Sequence, residues 1–275
     1  MEGTAVIDIE AYLARLGINN VPHADEDGLA QLIEAHILNV PFENFDIPLG
    51  LGIHLETDHL FEKIVTRRRG GYCFELNGLF GFLLDGLGFE RHPVMARVWF
   101  RGPPATPPLT HTLNIVTIGH TKFMADVGFG GTTARLPVPL YDQAVVEDVD
   151  GTVSLRKNDE FGFMLIRETP DGPQNQFSTT GVPAYESDLA LGNHYVSTHP
   201  GSHFTQMAVG GIFTKDGRVG VTDNMLTTRT GWDQKSSPVE TAEDYQAVLT
   251  THFGIDLGED HRRIFEAFET VDVEK

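Results

Sequence analysis

The spacing of apolar residues changes near residue 90, and that change restricts the chain to folds joining a helical part to a β part. Before it, Leu29, Leu32, Ile33, His36 and Ile37 recur at three and four and give the segment GLAQLIEAHIL one buried face. Asp8 is placed to cap a helix over IEAYLARLG. Asp25 or Asp27 can open the second helix, and Thr57 can cap DHLFEKIVTRRR ahead of Gly70 and Gly71. A fourth helix is expected to begin at or just after Cys73, with Leu76, Leu79, Phe80 and Leu83 as its stripe; it is apolar almost all round and so should be central.

Beyond residue 90 the period is two. PVMARVWF, HTLNIVTI, KFMADV, TVSLR and FGFMLI are short, rich in Val, Ile and Phe, and separated by Gly or Pro clusters, which predicts a small antiparallel β domain or barrel. The end of the chain mixes both periods: TQMAVGGIFT, RVGVTD and MLTTRT read as strands, ETAEDYQAVLTTHF and RRIFEAFETV as helices. With 275 residues, 40% of them hydrophobic, the chain can build a sizeable core and about two domains.

Twenty Lys and Arg against 39 Asp and Glu give a net charge of −19, so nucleic acid is not an expected partner. The start, MEGTAVIDIE, has neither the basic residues nor the apolar run of a secretory signal, and no apolar stretch approaches the ~18 residues that span a bilayer. The expectation is a soluble, cytoplasmic protein without a membrane partner. The single cysteine excludes an internal disulfide framework and a thiolate-rich zinc site. Self-association is left open, and any disulfide between copies would have to use Cys73.

Cys73 follows two glycines at the expected start of a helix, where unpaired backbone N–H groups favour a thiolate, and Arg67, Arg68 and Arg69 add positive charge nearby. Filling space beside Phe74 and Leu76 is the commoner role for a lone cysteine. A nucleophilic thiolate needs a base, and the base an orienting group. His111 and Asp126 qualify, because a hairpin turning near Gly119, His120 and Thr121 would set them almost opposite each other, within ~5 Å. Alone, His111 reads as a satisfied strand histidine and Asp126 as a cap for the glycine turn DVGFGGT; in combination with Cys73 those readings lose ground. His194, His199 and His203 lie in a Pro/Gly-rich stretch without a carboxylate pair, so no metal site is expected there. No pair among the 39 carboxylates stands out as a glycosidase centre.

RGGYCFELN at residues 69–77 resembles the cysteine-bearing signature of the arylamine N-acetyltransferases. PFENFD at 41–46, ARV at 96–98, THTLN at 110–114 and DVGFGG at 126–131 resemble further motifs of that family in the same order. The resemblance covers residues 8 to about 135; beyond that it rests mainly on the LTTRT strand and on overall length. It implies an α+β fold in three parts: a helical bundle (1–89) carrying the cysteine, a β-barrel (90–200) carrying the histidine and aspartate, and an α/β lid (201–275), related to the papain-like and transglutaminase cysteine enzymes.

The activity implied is acetylation of arylamines and arylhydrazines from acetyl-CoA, by a ping-pong route through an acetyl-cysteine, with Cys73, His111 and Asp126 as the triad and no metal. The backbone N–H of Cys73 is a plausible oxyanion donor. The same resemblance suggests Thr110, Gly130 and Gly131 for CoA, and Phe42, Phe129 and Phe204 for the aromatic acceptor, where ordinary packing competes as a reading of the phenylalanines. A cysteine hydrolase with the same triad order and a catalytically inert binding module remain as rival readings.

Overall fold

The computed structural model describes residues 7–130 and 134–268. In chain order the elements are α1 (Ile9–Arg15), α2 (Glu26–Asn39), β1 (Phe42–Glu43), α3 (Thr57–Phe61), α4 (Cys73–Gly86), β2 (Glu90–Val98), β3 (Leu109–Ile118), β4 (Thr121–Ala125), β5 (Val138–Pro139), β6 (Val145–Asp148), β7 (Gly151–Asn158), β8 (Gly162–Thr169), β9 (Gly172–Thr179), α5 (Glu186–Thr198), β10 (Val209–Thr214), β11 (Gly217–Thr222), β12 (Met225–Thr230), β13 (Asp233–Pro238), α6 (Ala242–Val248) and α7 (Asp260–Phe268).

Asp8 and Asp25 cap α1 and α2, accepting from the backbone N–H of Ala11 and Gly28, each at 2.9 Å. The face foreseen for α2 is buried, including His36, whose Nε2 meets the Tyr12 hydroxyl at 3.0 Å. Burial pushes His36 down to about 3, so the ring packs as a neutral group. Thr57 does not cap the third helix: Glu56 holds the cap position, and the helix passes after one turn into a π-helical turn over Glu62–Thr66. α4 starts at Cys73, and its stripe Leu76, Leu79, Phe80 and Leu83 is fully buried in the helical core.

Eight antiparallel strands form one sheet in the order β5-β4-β3-β2-β9-β8-β7-β6, with the end strands β5 and β6 in contact, so the sheet nearly closes into a barrel. Alternation along β3 divides its side chains. Leu113 and Ile115 join the barrel core, while Val116 joins the helical core together with Phe123 and Ala125 of β4. A second sheet, β1-β10-β11-β12-β13, recruits the two residues of β1 from the first third of the chain to the edge of β10. Phe45 and Leu49 pack with Tyr245, Leu249, Ile264 and Phe265 in a third core.

Six elements lie outside the expected pattern: the short strands β1, β5 and β6, and β9, α5 and β13. β9 carries Gln174 and Gln176 where alternation would want apolar residues; α5 buries only Gly192 and Val196; β13 is exposed throughout, an edge strand ending at Pro238. His194 therefore stands on a helix, and His199 at its end, rather than in a loop.

Candidate active site

Cys73 is the first residue of α4, and Tyr72 is its cap residue. The Glu75 carboxylate reaches back to the Tyr72 N–H at 3.0 Å, which holds the turn that presents the cysteine. Cys73 is only 4% exposed, and its Sγ donates to the Thr110 carbonyl at 3.8 Å, so the helix start faces the beginning of β3. His111 follows in that strand, buried, and donates from Nε2 to Asp126 Oδ2 at 2.8 Å.

The hairpin does turn at Gly119 and His120, but the paired register ends at Asn114 opposite Ala125. Extending it by one residue sets Asp126 opposite Leu113, so His111 meets Asp126 on the diagonal, two residues further along the same face. Burial disfavours a charged imidazole at His111. The adjacent Asp126 carboxylate and, less strongly, Cys73 outweigh it and raise His111 to about 10. With Nε2 committed to the carboxylate, Nδ1 is the ring nitrogen left for another partner, and Cys73 is among the groups that raise the ring.

Asn77, one turn after Cys73, secures Asp126. Its Nδ2 donates to Asp126 Oδ1 at 2.9 Å and to the Thr112 carbonyl at 2.8 Å, while its Oδ1 accepts from the Val127 N–H at 3.0 Å. The Gly128 N–H donates to Asp126 Oδ1 at 2.9 Å. A Cβ on Gly128 would lie 2.9 Å from Cys73 Cα and 2.8 Å from Asn77 Nδ2, so the glycine lets the aspartate turn cross the start of α4. Asn77 ends the RGGYCFELN motif, and its i, i+4 spacing from Cys73 is the sequence signal that sets it on the same face of α4.

A second buried network underlies the helix start. Lys63 Nζ lies 2.7 Å from both Glu75 Oε1 and Asp46 Oδ2, and Arg69 pairs with Glu43 and Asp46 at 2.8 Å. Arg69 therefore neutralises carboxylates from PFENFD, and its charge is not free for Cys73. Burial raises Glu75 to about 7 although Lys63 opposes the shift.

The three phenylalanines are half-buried and fall into two groups. Phe42 and Phe204 lie 5.9 Å apart, with Tyr72 5.9 Å from Phe204, in the cluster that contains Cys73. Phe129 stands edge-on to His111 at 5.0 Å and packs on Phe177. Gly130 has φ of +86°, and a Cβ at this position would lie 3.9 Å from the Phe42 ring. Gly131 lies outside the described residues. His194, His199 and His203 do not form a cluster with metal-ligand spacing; among the described residues such a group is His54, Glu56 and His59.

A family model described as N-acetyltransferase matches residues 25–262. The chain is 34% identical to the arylamine N-acetyltransferase of Mycolicibacterium smegmatis over 258 residues, covering 92% of this chain and 94% of that protein. The solved M. smegmatis enzyme superposes with a TM-score of 0.90 at 32% identity, covering 96% of this chain and all of that one. The Mycobacterium marinum arylamine N-acetyltransferase solved in complex with CoA gives 0.88 at 31% identity, covering 94% and 99%. The chain belongs to the arylamine N-acetyltransferase family and is an acyltransferase. No helix among the described residues is long and apolar enough to cross a membrane.

Proposed function

We propose that the chain transfers acetyl from acetyl-CoA to an arylamine or arylhydrazine through an acetyl-Cys73 intermediate. The observation that carries this is His111, held by Asp126 through Nε2, with Cys73 among the groups that favour its charged form. The Cys73 sulfur attacks the thioester carbonyl, the carbon–sulfur bond to CoA breaks, and the departing thiolate takes the proton held by His111. The Cys73 N–H, first in α4, donates to the oxyanion. The amine then attacks acetyl-Cys73 and gives its proton to His111, and the restored thiolate leaves an amide behind.

Acetylation removes the Cys73 contribution that raises His111, so the ring is more readily neutral and able to take the amine's proton when the amine arrives. Thr110, Gly130 and Gly131 contact CoA, and Phe42, Phe129 and Phe204 bound the aromatic acceptor; the clustering of Phe42 and Phe204 with Cys73, and of Phe129 with His111, supports the latter. Division into a bundle (1–89), a barrel (90–200) and a lid (201–275) in the manner of the papain-like and transglutaminase enzymes completes the reading. A cytoplasmic site of action suits a catalytic thiol that must stay reduced.

Rapid mixing with acetyl-CoA alone tests this. One equivalent of free CoA should appear in a burst without amine, and steady-state plots in both substrates should be parallel. CoA release that requires amine in the same encounter contradicts it.

A further inference from the structure

Away from Cys73, the segment IHLETDH brings two imidazoles and a carboxylate together on the surface. His54 Nδ1 lies 3.8 Å from Glu56 Oε2, and His59 Nδ1 lies 3.6 Å from that same oxygen. The two rings are 5.0 Å apart between centroids and tilted by 36°. One donor atom from each residue lies within 4.8 Å of the other two. Both imidazole–carboxylate separations exceed a hydrogen bond, so neither ring has closed on the oxygen that both face.

A tetrahedral ion bound at about 2.0–2.2 Å holds its ligand atoms roughly 3.3–3.5 Å apart. The three atoms therefore need to draw in by only a few tenths of an ångström between each ring and the carboxylate. We propose that His54, Glu56 and His59 form a binding site for a divalent transition metal of the zinc class, with its remaining coordination open to water. Two imidazoles with one carboxylate favour zinc, cobalt, nickel or copper over magnesium and calcium, which prefer all-oxygen sets. The charge of −19 draws cations to this surface.

The side chains are 59%, 69% and 65% exposed in the order His54, Glu56, His59, so the ion enters freely and the affinity is limited by ordering three mobile side chains. His54 also lines a cavity of about 400 Å³ with Ile47, Ile53, Asn193 and Ser197, which places the ion at its edge. The site is separate from acetyl transfer and does not depend on that reading.

Titrating untagged, metal-free Cys73→Ala chain with Co²⁺ tests the site without interference from the thiol. The expected result is one ion per chain, with the visible absorption of four-coordinate cobalt, displaced by Zn²⁺ and resistant to excess Mg²⁺. His54→Ala and His59→Ala should each weaken binding at least about tenfold, and His194→Ala should leave it unchanged. Absence of saturable binding, or the same affinity in the His54 and His59 variants, overturns the proposal.

Discussion

Two buried polar networks meet in the first turns of α4, at residues 75 and 77, which stand roughly 200° apart around the helix. At Glu75, the carboxylates of Glu43, Asp46 and Glu75 enclose Lys63 and Arg69. At Asn77, a neutral amide holds Asp126, which holds His111, with Cys73 among the groups that raise the ring. The first network spends its charges on one another and locks PFENFD to the cysteine signature. On the function proposed here, the second leaves the contact between sulfur and ring available for reaction. A buried ion network can thus serve as scaffold, and the proposed function assigns reactivity to the other network, where the chain of bonds leads to Cys73.

Substitutions on the two sides should separate these roles. Cys73→Ser should lower acetyl transfer by more than about a thousandfold with the melting temperature nearly unchanged, because a hydroxyl fits the space but is a far weaker nucleophile. Calorimetry and turnover on one preparation check both parts. Asp126→Asn should reduce kcat/KM by roughly a hundred- to ten-thousandfold, since the amide no longer supports a protonated ring or fixes its orientation. Near-normal turnover in that variant removes His111 from the chemistry.

On the scaffold side the signature inverts. Lys63→Met should cost about 3–5 kcal/mol of stability by stranding buried carboxylates, measured by urea unfolding, while the folded fraction keeps most of its turnover. Asn77→Ala should show both signatures in smaller measure, with about 1–3 kcal/mol lost and a decline in kcat larger than any change in KM.

Stability should also depend on pH with one sign at both networks. Glu75 is raised to about 7 in the fold, so the folded state binds the extra proton and stability falls as pH rises from about 4.5 to 7. His111 is raised to about 10, so its contribution is complete below about pH 6.5 and is lost as pH climbs towards 10. Urea midpoints for His111→Gln should lack the upper decline and keep the lower one.

Period and capping made the start of α4 legible, because Gly70, Gly71 and Cys73 and the stripe from Leu76 to Leu83 all state one helix. The β3–β4 hairpin was equally legible, and the His111–Asp126 pair with it, although its diagonal register was not, since alternation fixes faces and leaves the offset to the turn. The scaffold network was invisible: Glu43 and Lys63 carry no pattern that pairs them, and Arg69 reads as positive charge beside Cys73 until β1 is seen docked on β10, a pairing between residues far apart in the chain. β9 and α5 were missed because their burial comes from neighbouring elements and their own sequences carry few apolar residues.

The central claim, an acyl group carried on Cys73, is tested most directly by intact mass after incubation with acetyl-CoA alone, followed by digestion to locate the adduct. One acetyl group on Cys73, removed on adding an arylamine and persisting in buffer, is the predicted result. An unmodified cysteine, or an adduct lost equally fast to water, contradicts the account.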